Sequence, residues 1–424
     1  MHYTTRRYLI LGLFGLLAIV LTRYPQAISL FPSSDHYRLR PYTYSENGIQ
    51  FINITTLFNQ YTNLDRFSSA LLSKAWPSSP YGVKVVPYFH RKSSRFSRSV
   101  VTLTTWTTCD RIDRLVELAE LKRGPISVAI YIDPEDSEAA WQFEELTELI
   151  RTKPSLSDYA DIHLVTSDRP LLHNTWRNVA RAFATTEWVM MWDIDFEPCT
   201  DYQAGFKKLR RSGDKELVQR LDQGKAALVI PPFEWVQGMG EGVCPKDKQD
   251  LVQQYYTMTL DAFESTTPVL SHATDYEQFM STREDESPYI VEEYELGYEI
   301  YGIFKQDASF WCDERFAGPG FNRAACAASM YLSGMEFYVM PNQWTFLKPH
   351  PENSAKIRHS LDTNLAWKTF RIDACHAAAD ELAMHARLHH PAGQRILVAC
   401  QGQDIPELER DLEKLAELSM ELGP

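Results

Sequence analysis

Two acidic residues separated by one position, Asp193 and Asp195, follow a run of five apolar residues that begins at Trp188. Such a run, bounded by turn-forming residues, is typical of a strand that is buried on both faces. Side chains alternate along a strand, so both carboxylates are expected to point to the same side of the extended chain. Neighbouring carboxylates repel each other and are costly to desolvate unless a cation or hydrogen bonds compensate them. The pattern predicts a divalent-metal site that also holds substrate phosphates. A solvated, polar strand end is the simpler interpretation.

The segments before the two acids alternate between strand and helix patterns. The β-branched or apolar runs predict strands over residues 100–106, 126–132 and 162–165, and the helical spacing of apolar residues predicts helices over 110–121, 137–152 and 174–184. This alternation is the signature of a mostly parallel sheet with helices on both faces. Sheets of this kind bind ligands at the carboxyl ends of their strands. The two acids follow such an end, which favours the metal interpretation.

The segments after the acids predict further helices and strands. We expect helices over residues 201–223, 250–264, 356–388 and 407–422, and strands over 226–231 and 335–340. A glutamate-rich stretch, 284–299, is expected to be a solvated face. Tyrosines interleaved with those acids suit sugar binding or ordinary packing equally well; they are Tyr289, Tyr294, Tyr298 and Tyr301.

The overall composition excludes some classes of function. The 424-residue chain has a formal net charge of -13 and no basic stripe, so we do not expect it to bind nucleic acid. Seven cysteines occur without a CxxC pair, which argues against a cysteine zinc site. The odd number leaves at least one free thiol if disulfides form.

The start of the chain carries the features of a membrane anchor. Arg6 and Arg7 precede an apolar run over residues 8–21 that is followed by no small-X-small cleavage site, so we favour an uncleaved signal anchor over a cleaved signal peptide. The basic pair would remain cytoplasmic and the rest of the chain would be lumenal. A glycosylation sequon at Asn53 is consistent with that orientation. Residues 24–98, rich in proline, serine and arginine, are expected to form a stem.

Short motifs between residues 100 and 353 have the order and spacing of one enzyme family. They are Val101-Thr102-Leu103 with Asp110-Arg111, Gly124-Pro125-Ile126-Ser127, Asn174 with Arg177-Asn178, Asp193-Ile194-Asp195-Phe196, residues 227–234, 272–276, 313–323 and 336–342, and Pro349-His350. Together they resemble glycosyltransferase family 49, the LARGE-type glycosyltransferases. Each motif alone is weak, but the set is specific. Arg323 departs from the pattern, because the family usually has lysine there.

The resemblance implies a GT-A glycosyltransferase fold, which is a Rossmann-like, mostly parallel sheet, in a single-pass type II Golgi membrane protein. Residues 1–23 would be the cytoplasmic tail and anchor, 24–98 the stem, 99–355 the catalytic domain and 356–424 a helical extension. A nucleotide-sugar donor, UDP-linked, and Mn²⁺ or another divalent cation would act in transfer to a glycan or glycoprotein hydroxyl, with inversion.

The resemblance also implies roles for individual residues. Asp195 would bind the metal directly, Asp193 would bind the metal or the donor ribose, and His350 would be the third metal ligand. Other residues expected to contact the donor are Thr104, Asn174, Arg177 and Asn178, and those expected on the acceptor side are Gly318, Gly320 and Asn322. Arg177 and Asn178 could instead tie their helix to the sheet.

An inverting transfer needs a carboxylate base, for which Asp313 and Glu299 are the candidates. Asp313 is slightly favoured because it precedes the glycines at 318 and 320, but it could equally form an ion pair with Arg315 or a cap. Two other functions compete with glycosyl transfer. The chain could be an inactive relative that binds a glycan or partner, or a metal-dependent phosphohydrolase, which should show more Asp and His ligands than are found.

Overall fold

The computed structural model describes residues 43–46, 49–52 and 82–401, with gaps at 134, 170, 213, 237–242, 266–272, 349–360 and 385–390. The expected anchor, the sequon at Asn53, the expected metal ligand His350 and the helix expected over 407–422 lie outside these residues. Within the described part, no helix is both long and apolar enough to cross a membrane.

Fifteen strands and eleven α-helices are described. The strands are β1 Thr43–Glu46, β2 Ile49–Ile52, β3 Lys84–His90, β4 Val101–Thr108, β5 Ile126–Tyr131, β6 Ala160–Thr166, β7 Trp188–Met191, β8 Phe196–Pro198, β9 Ala226–Val229, β10 Pro232–Trp235, β11 Leu260–Ala262, β12 Tyr289–Ile290, β13 Gly302–Lys305, β14 Glu336–Val339 and β15 Thr345–Leu347. The helices are α1 Ile112–Lys122, α2 Ala139–Thr152, α3 Pro154–Tyr159, α4 His173–Ala182, α5 Tyr202–Ser212, α6 Lys215–Asp222, α7 Lys248–Tyr256, α8 Tyr276–Ser281, α9 Asn322–Leu332, α10 Leu361–Met384 and α11 Pro391–Gln401.

Nine strands form one sheet in the order β12-β14-β9-β13-β7-β4-β5-β6-β3. Its centre, β7-β4-β5-β6, is parallel as expected, but β13 pairs antiparallel with both β7 and β9, and β3 and β12 pair antiparallel with β6 and β14. The α/β class is therefore confirmed, whereas the expectation of a mostly parallel sheet is wrong: the sheet is mixed. Strand β3 lies within the segment that the sequence assigned to the stem.

The central strands are covered on both faces. Every residue of β5 and β6 is buried, and successive residues of a strand point to opposite faces, so neither face meets water. On β5 and β6, Ala129, Tyr131 and Val165 share one apolar cluster with Trp176 and Val179 of α4. This packing places α4 directly against the strands that precede the two acids.

The glutamate-rich stretch exposes its glutamates as expected, apart from Glu299, but it buries neighbouring tyrosines. It leads into β13, which inserts between β7 and β9, and Tyr294, Tyr298 and Tyr301 are all buried. For these three tyrosines the packing interpretation is correct. Their rings fill space beside the sheet, while the glutamates between them, apart from the half-buried Glu299, remain at the surface.

Two long helices expected after the acids are each interrupted. The segment 201–223 forms α5 and α6, because Asp214 caps a new helix by accepting from the backbone N–H of Glu216. In the segment 250–264, helix α7 ends at Tyr256. Met258 then takes a positive φ of 55°, and the chain continues as β11, which pairs with β10. The pairing of β11 with β10 therefore replaces the end of the helix that the spacing of apolar residues predicts.

Disulfides connect six of the seven cysteines: Cys199–Cys244, Cys312–Cys326 and Cys375–Cys400, which leaves Cys109 as a buried free thiol. The last of the three joins α10 to α11, a helix that the sequence pattern did not predict. The second holds the loop before α9 to α9 itself. Burial raises the pKa of the Cys109 thiol to about 12, so the thiol is protonated at neutral pH and a weak nucleophile.

Gly302 offers a test of the antiparallel insertion of β13. A Cβ atom there would lie 2.7 Å from the carbonyl oxygen of Leu228 on β9. We expect Gly302→Ala to lower the free energy of unfolding by about 1–3 kcal/mol, because backbone atoms would have to move apart. Urea denaturation followed by circular dichroism measures this change. The control is Gly124→Ala, whose Cβ would be 3.6 Å from its nearest neighbour atom; equal effects of the two variants would contradict the close approach.

Candidate functional site

The two acids lie on a turn that carries the chain from one sheet to the other. Strand β7 ends at Met191, and β8, which begins at Phe196, belongs to a four-stranded sheet ordered β11-β10-β15-β8. The Phe196 N–H donates to the carbonyl of Asp193 at 3.1 Å, which closes the turn. The expectation of an extended chain with both carboxylates on one side is therefore wrong. The change of sheet requires a turn, and the turn aims the two carboxylates at different partners.

Asp193 is surrounded by buried cations. One carboxylate oxygen accepts from Arg177 of α4 at 3.2 Å, and the other pairs with Arg323 of α9. The Tyr301 hydroxyl lies 3.4 Å from the second oxygen. Burial alone would raise the pKa of Asp193, but the two guanidinium groups outweigh it and hold that pKa well below its usual range. Asp193 is therefore ionised at any physiological pH.

The two arginines around Asp193 are themselves fixed in place. Arg323 donates to the carbonyl of Ile300 at 2.9 Å and lies 3.9 Å from the centre of the Tyr301 ring. Arg177 donates to the side chains of Asn174, at 2.9 Å, and Asn322, at 2.5 Å. The arginine side chains are only 5% and 2% exposed, compared with 24% for Asp193. Asn174, Arg177 and Asn322, all expected near the donor or acceptor, are thus brought together at Asp193.

Asp195 has a different and more accessible partner. Arg111 donates to both of its carboxylate oxygens, one of them at 2.7 Å, in a bidentate pair. The two side chains are 26% and 20% exposed. The backbone carbonyl of Asp195 accepts from the Lys348 N–H at 3.0 Å, which places the turn beside the segment that leads to residue 350.

The two carboxylates of the turn are oxygen ligands that suit a hard divalent cation, and Asp195 is better placed than Asp193 to bind one. Asp195 provides oxygen ligands of the kind that Mn²⁺ accepts, and its present partner is partly exposed. Both oxygens of Asp193 are already occupied by the two buried arginines and Tyr301. Among the described residues no group of three His, Cys, Asp or Glu side chains could hold a metal. The expected third ligand, His350, is outside the described part.

Glu299 lies next to the same charged cluster. Burial raises the pKa of its carboxyl to about 7; the positive charges of Arg323 and Arg177 oppose this shift, and the negative charges of Glu264 and Asp193 add to it. A carboxyl that titrates near neutral pH can accept a proton during turnover. Of the two expected bases, Glu299 is thus the one at the Asp193 cluster.

Asp313 forms the ion pair that was the alternative to a catalytic role. One of its oxygens accepts from the backbone N–H and from the guanidinium Nε of Arg315, at 3.0 and 2.9 Å, and Arg315 also pairs with Asp373 of α10. The Asn174 side chain donates to the Asp313 carbonyl at 2.8 Å. These contacts tie α4 to the loop before α9.

Other expected site residues have internal roles in the described structure. The Thr104 hydroxyl donates to the Met190 carbonyl at 3.0 Å, and the Thr104 carbonyl receives the Trp192 N–H at 3.0 Å, which positions the start of the turn. Asn178 bonds to the backbone of Cys312 and to Glu314. Gly318 and Gly320 have φ values of 103° and 101°, which only glycine adopts readily.

Sequence reasoning missed two residues at the site. Arg111 belongs to a family motif, but an arginine three residues after the end of β4 could also have been expected to reach a carboxylate after the neighbouring β7. Glu314 was also missed; burial raises the pKa of its carboxyl to about 7, and Asn178 donates to it at 2.9 Å. Nothing in the sequence distinguishes Glu314 from Asp313 beside it.

A family model described as "Glycosyl-transferase for dystroglycan" matches residues 100–173 and 168–365. The match covers the parallel strands, the turn with both acids, α4 and α9. This chain belongs to glycosyltransferase family 49. The resemblance that the sequence motifs indicated is therefore confirmed, and the chain is assigned to the glycosyltransferases as an enzyme class.

Curated relatives agree with this assignment. The chain is 34% identical to the rat xylosyl- and glucuronyltransferase LARGE2 over 232 residues, 54% of this chain and 31% of that protein. It is 31% identical to human LARGE2 over 293 residues, 67% of this chain and 37% of that protein. A glycosyltransferase-like protein of Dictyostelium discoideum, gnt14, is 29% identical over 281 residues, 64% and 40% of the two chains. The chain spans about a third of the length of the curated relatives it matches.

Solved structures resemble the chain only distantly. The structure of GalNAc-T7 with UDP, GalNAc and Mn²⁺ has 12% sequence identity and a TM-score of 0.39, covering 77% of this chain and 57% of that one.

The two acids should differ in their contribution to stability. Asp193→Asn would leave two buried guanidinium groups without their counter-charge, and we expect a loss of about 3–5 kcal/mol in the free energy of unfolding. Asp195→Asn breaks a partly exposed pair and should cost about 1 kcal/mol or less. Urea denaturation of both variants gives the comparison. Similar losses for the two would show that Arg177 and Arg323 do not depend on Asp193.

Proposed function

We propose that the chain is a metal-dependent glycosyltransferase that moves a sugar from a UDP-linked donor to a hydroxyl of a glycan or glycoprotein, with inversion. The observation that carries the proposal is the turn after β7: its ionised Asp193 lies near Glu299, a carboxyl that titrates near neutral pH, and its Asp195 has a partly exposed partner. The position of this turn at the carboxyl end of a central parallel strand supports a GT-A type of domain.

In this proposal, Asp195 and His350 are the ligands that would hold the metal. A divalent cation held there would neutralise the charge that develops on the departing diphosphate. Asp193 would serve the donor from its fixed position by accepting a hydrogen bond from the ribose, the alternative to a metal contact. Its arginine partners keep it ionised and oriented for that contact.

Glu299 is the proposed base that removes the proton from the acceptor hydroxyl. A base needs an accessible lone pair and a pKa close to the working pH. Glu299 has the second property and its side chain is only half-buried. Asp313 is the less accessible base, because the backbone N–H and the Nε of Arg315 both donate to one of its oxygens. We therefore assign the role to Glu299 and a loop-bracing role to Asp313.

We propose that the protein works in the Golgi lumen as a single-pass type II membrane protein. The disulfides Cys199–Cys244, Cys312–Cys326 and Cys375–Cys400 are typical of an oxidising compartment. The apolar run over residues 8–21 and the sequon at Asn53 support the same orientation. Protease protection of the catalytic domain in intact Golgi vesicles tests this assignment, and cleavage of that domain without detergent would contradict it.

Asp195→Ala tests the metal part of the proposal. We expect the variant to lose Mn²⁺-dependent UDP binding, measured by isothermal titration calorimetry, and to lose UDP-sugar turnover, because the accessible oxygen ligands are gone. The circular dichroism spectrum should stay that of the wild type, since the Asp195 pair is partly exposed. Turnover close to wild type would remove the metal site from Asp195.

Glu299→Gln tests the base. In the wild type, Glu299 is protonated below pH 7 and cannot accept a proton, so kcat/KM should fall about tenfold per pH unit below 7 and level off above it. The variant should lose about 10²- to 10⁴-fold in kcat, lose this acid limb, and retain UDP binding. Asp313→Asn is the matched comparison and should keep the acid limb. The reverse result, with the limb lost only in Asp313→Asn, would identify Asp313 as the base.

A further inference from the structure

Arg111 occupies the position at Asp195 that the proposed cation would need. It ends a short 3₁₀ turn, Cys109–Arg111, which follows the carboxyl end of β4. Strand β4 runs parallel to β7 and pairs with it, so residues that follow both strands meet at one edge of the sheet. The Arg111 guanidinium donates to both carboxylate oxygens of Asp195. A hard cation would require these same oxygens.

The Arg111–Asp195 pair is more exposed to solvent than the contacts that Arg177 and Arg323 make with Asp193. Arg177 and Arg323 are 5% and 2% exposed and also bond to neighbouring groups, so they cannot leave Asp193 without losing buried partners. Arg111 is 26% exposed. Its release would let water solvate the guanidinium, which makes the exchange of Arg111 for a cation inexpensive in comparison.

We propose that Arg111 is the internal counter-ion of Asp195 in the donor-free protein, and that the cation displaces it so that it binds the diphosphate of the donor. The inference rests on the proposed function, because it assumes a metal at Asp195. A diphosphate held at this cation brings negative charge to the edge of the sheet where Arg111 stands. The planar guanidinium fork matches phosphate oxygens as well as it matches a carboxylate.

The position of Arg111 in the chain supports this second contact. Helix α1 begins at Ile112, directly after it, and the first N–H groups of a helix favour a phosphate. Arg111 would move only its side chain between the two partners, since its backbone is fixed by the turn and the helix. The competing interpretation is a fixed brace between β4 and the turn after β7, which would help to shape the site.

The two interpretations predict opposite changes in metal affinity. If Arg111 competes with the cation, Arg111→Met in the full chain should bind Mn²⁺ alone about twofold to fivefold more tightly, the range expected for removal of a partly exposed ion pair. At saturating Mn²⁺ the same variant should bind UDP about tenfold more weakly, because the guanidinium–phosphate contact is lost. Isothermal titration calorimetry with MnCl₂ and with UDP measures both quantities.

The matched control is Arg114→Met, which removes an arginine one turn along α1 that pairs with Glu117. Both affinities should be unchanged in it. Arg111→Lys provides a second reading if Arg111→Met fails to fold: lysine keeps the charge but cannot bond to both oxygens as a fork, so Mn²⁺ binding should again tighten, to a smaller extent.

The inference is overturned if Arg111→Met or Arg111→Lys binds Mn²⁺ with wild-type or weaker affinity while the wild type binds it measurably. Unchanged UDP affinity at saturating Mn²⁺ overturns the diphosphate contact. Failure of the wild type itself to bind Mn²⁺ is a distinct result, because it removes the metal from the proposed function.

Discussion

The site depends on one electrostatic constraint: the charge of Asp193 is compensated by two buried guanidinium groups from separate helices. A buried arginine without a counter-charge is strongly destabilising, so α4 and α9 are both held to the turn after β7. Neither helix can shift without exposing or isolating a charge. The turn is therefore positioned by the core of the domain and not by a flexible loop.

The same constraint accounts for the different chemistry of neighbouring acids. Asp193 remains ionised because two cations outweigh its burial. At Glu299 burial outweighs the same cations and, with the negative charges of Glu264 and Asp193, raises the pKa of the carboxyl to about 7. Asp195 lies two residues from Asp193 and pairs with the partly exposed Arg111. In the proposed function these three acids are the fixed anion, the metal ligand and the proton acceptor. These are the three kinds of group that a transfer from a diphosphate requires.

The fold creates this arrangement by changing sheets at the acids. Strand β7 is central in the nine-stranded sheet, and only four residues separate its end from the start of β8 in the next sheet. The intervening turn cannot be covered by either sheet, so its carboxylates remain partly exposed at an otherwise buried edge. Tyr301, directly before β13, places its hydroxyl near Asp193, and the disulfide Cys312–Cys326 holds the loop before α9 in place.

The sequence by itself determined the parallel centre of the sheet, the position of the acid pair and the family of the chain. Apolar runs and helical spacing are local properties, and the motif order is written directly in the chain. Only the tertiary structure decided that Arg111, 84 residues from Asp195, is its partner, that β13 inserts antiparallel, and that the acids stand on a turn facing different arginines. These features depend on contacts between distant segments and on the desolvation of charge, which residue types and spacing do not specify. The choice between Asp313 and Glu299 was open in the sequence for the same reason. It depends on contacts in the folded chain, where Asp313 pairs with Arg315 and Glu299 lies near Asp193.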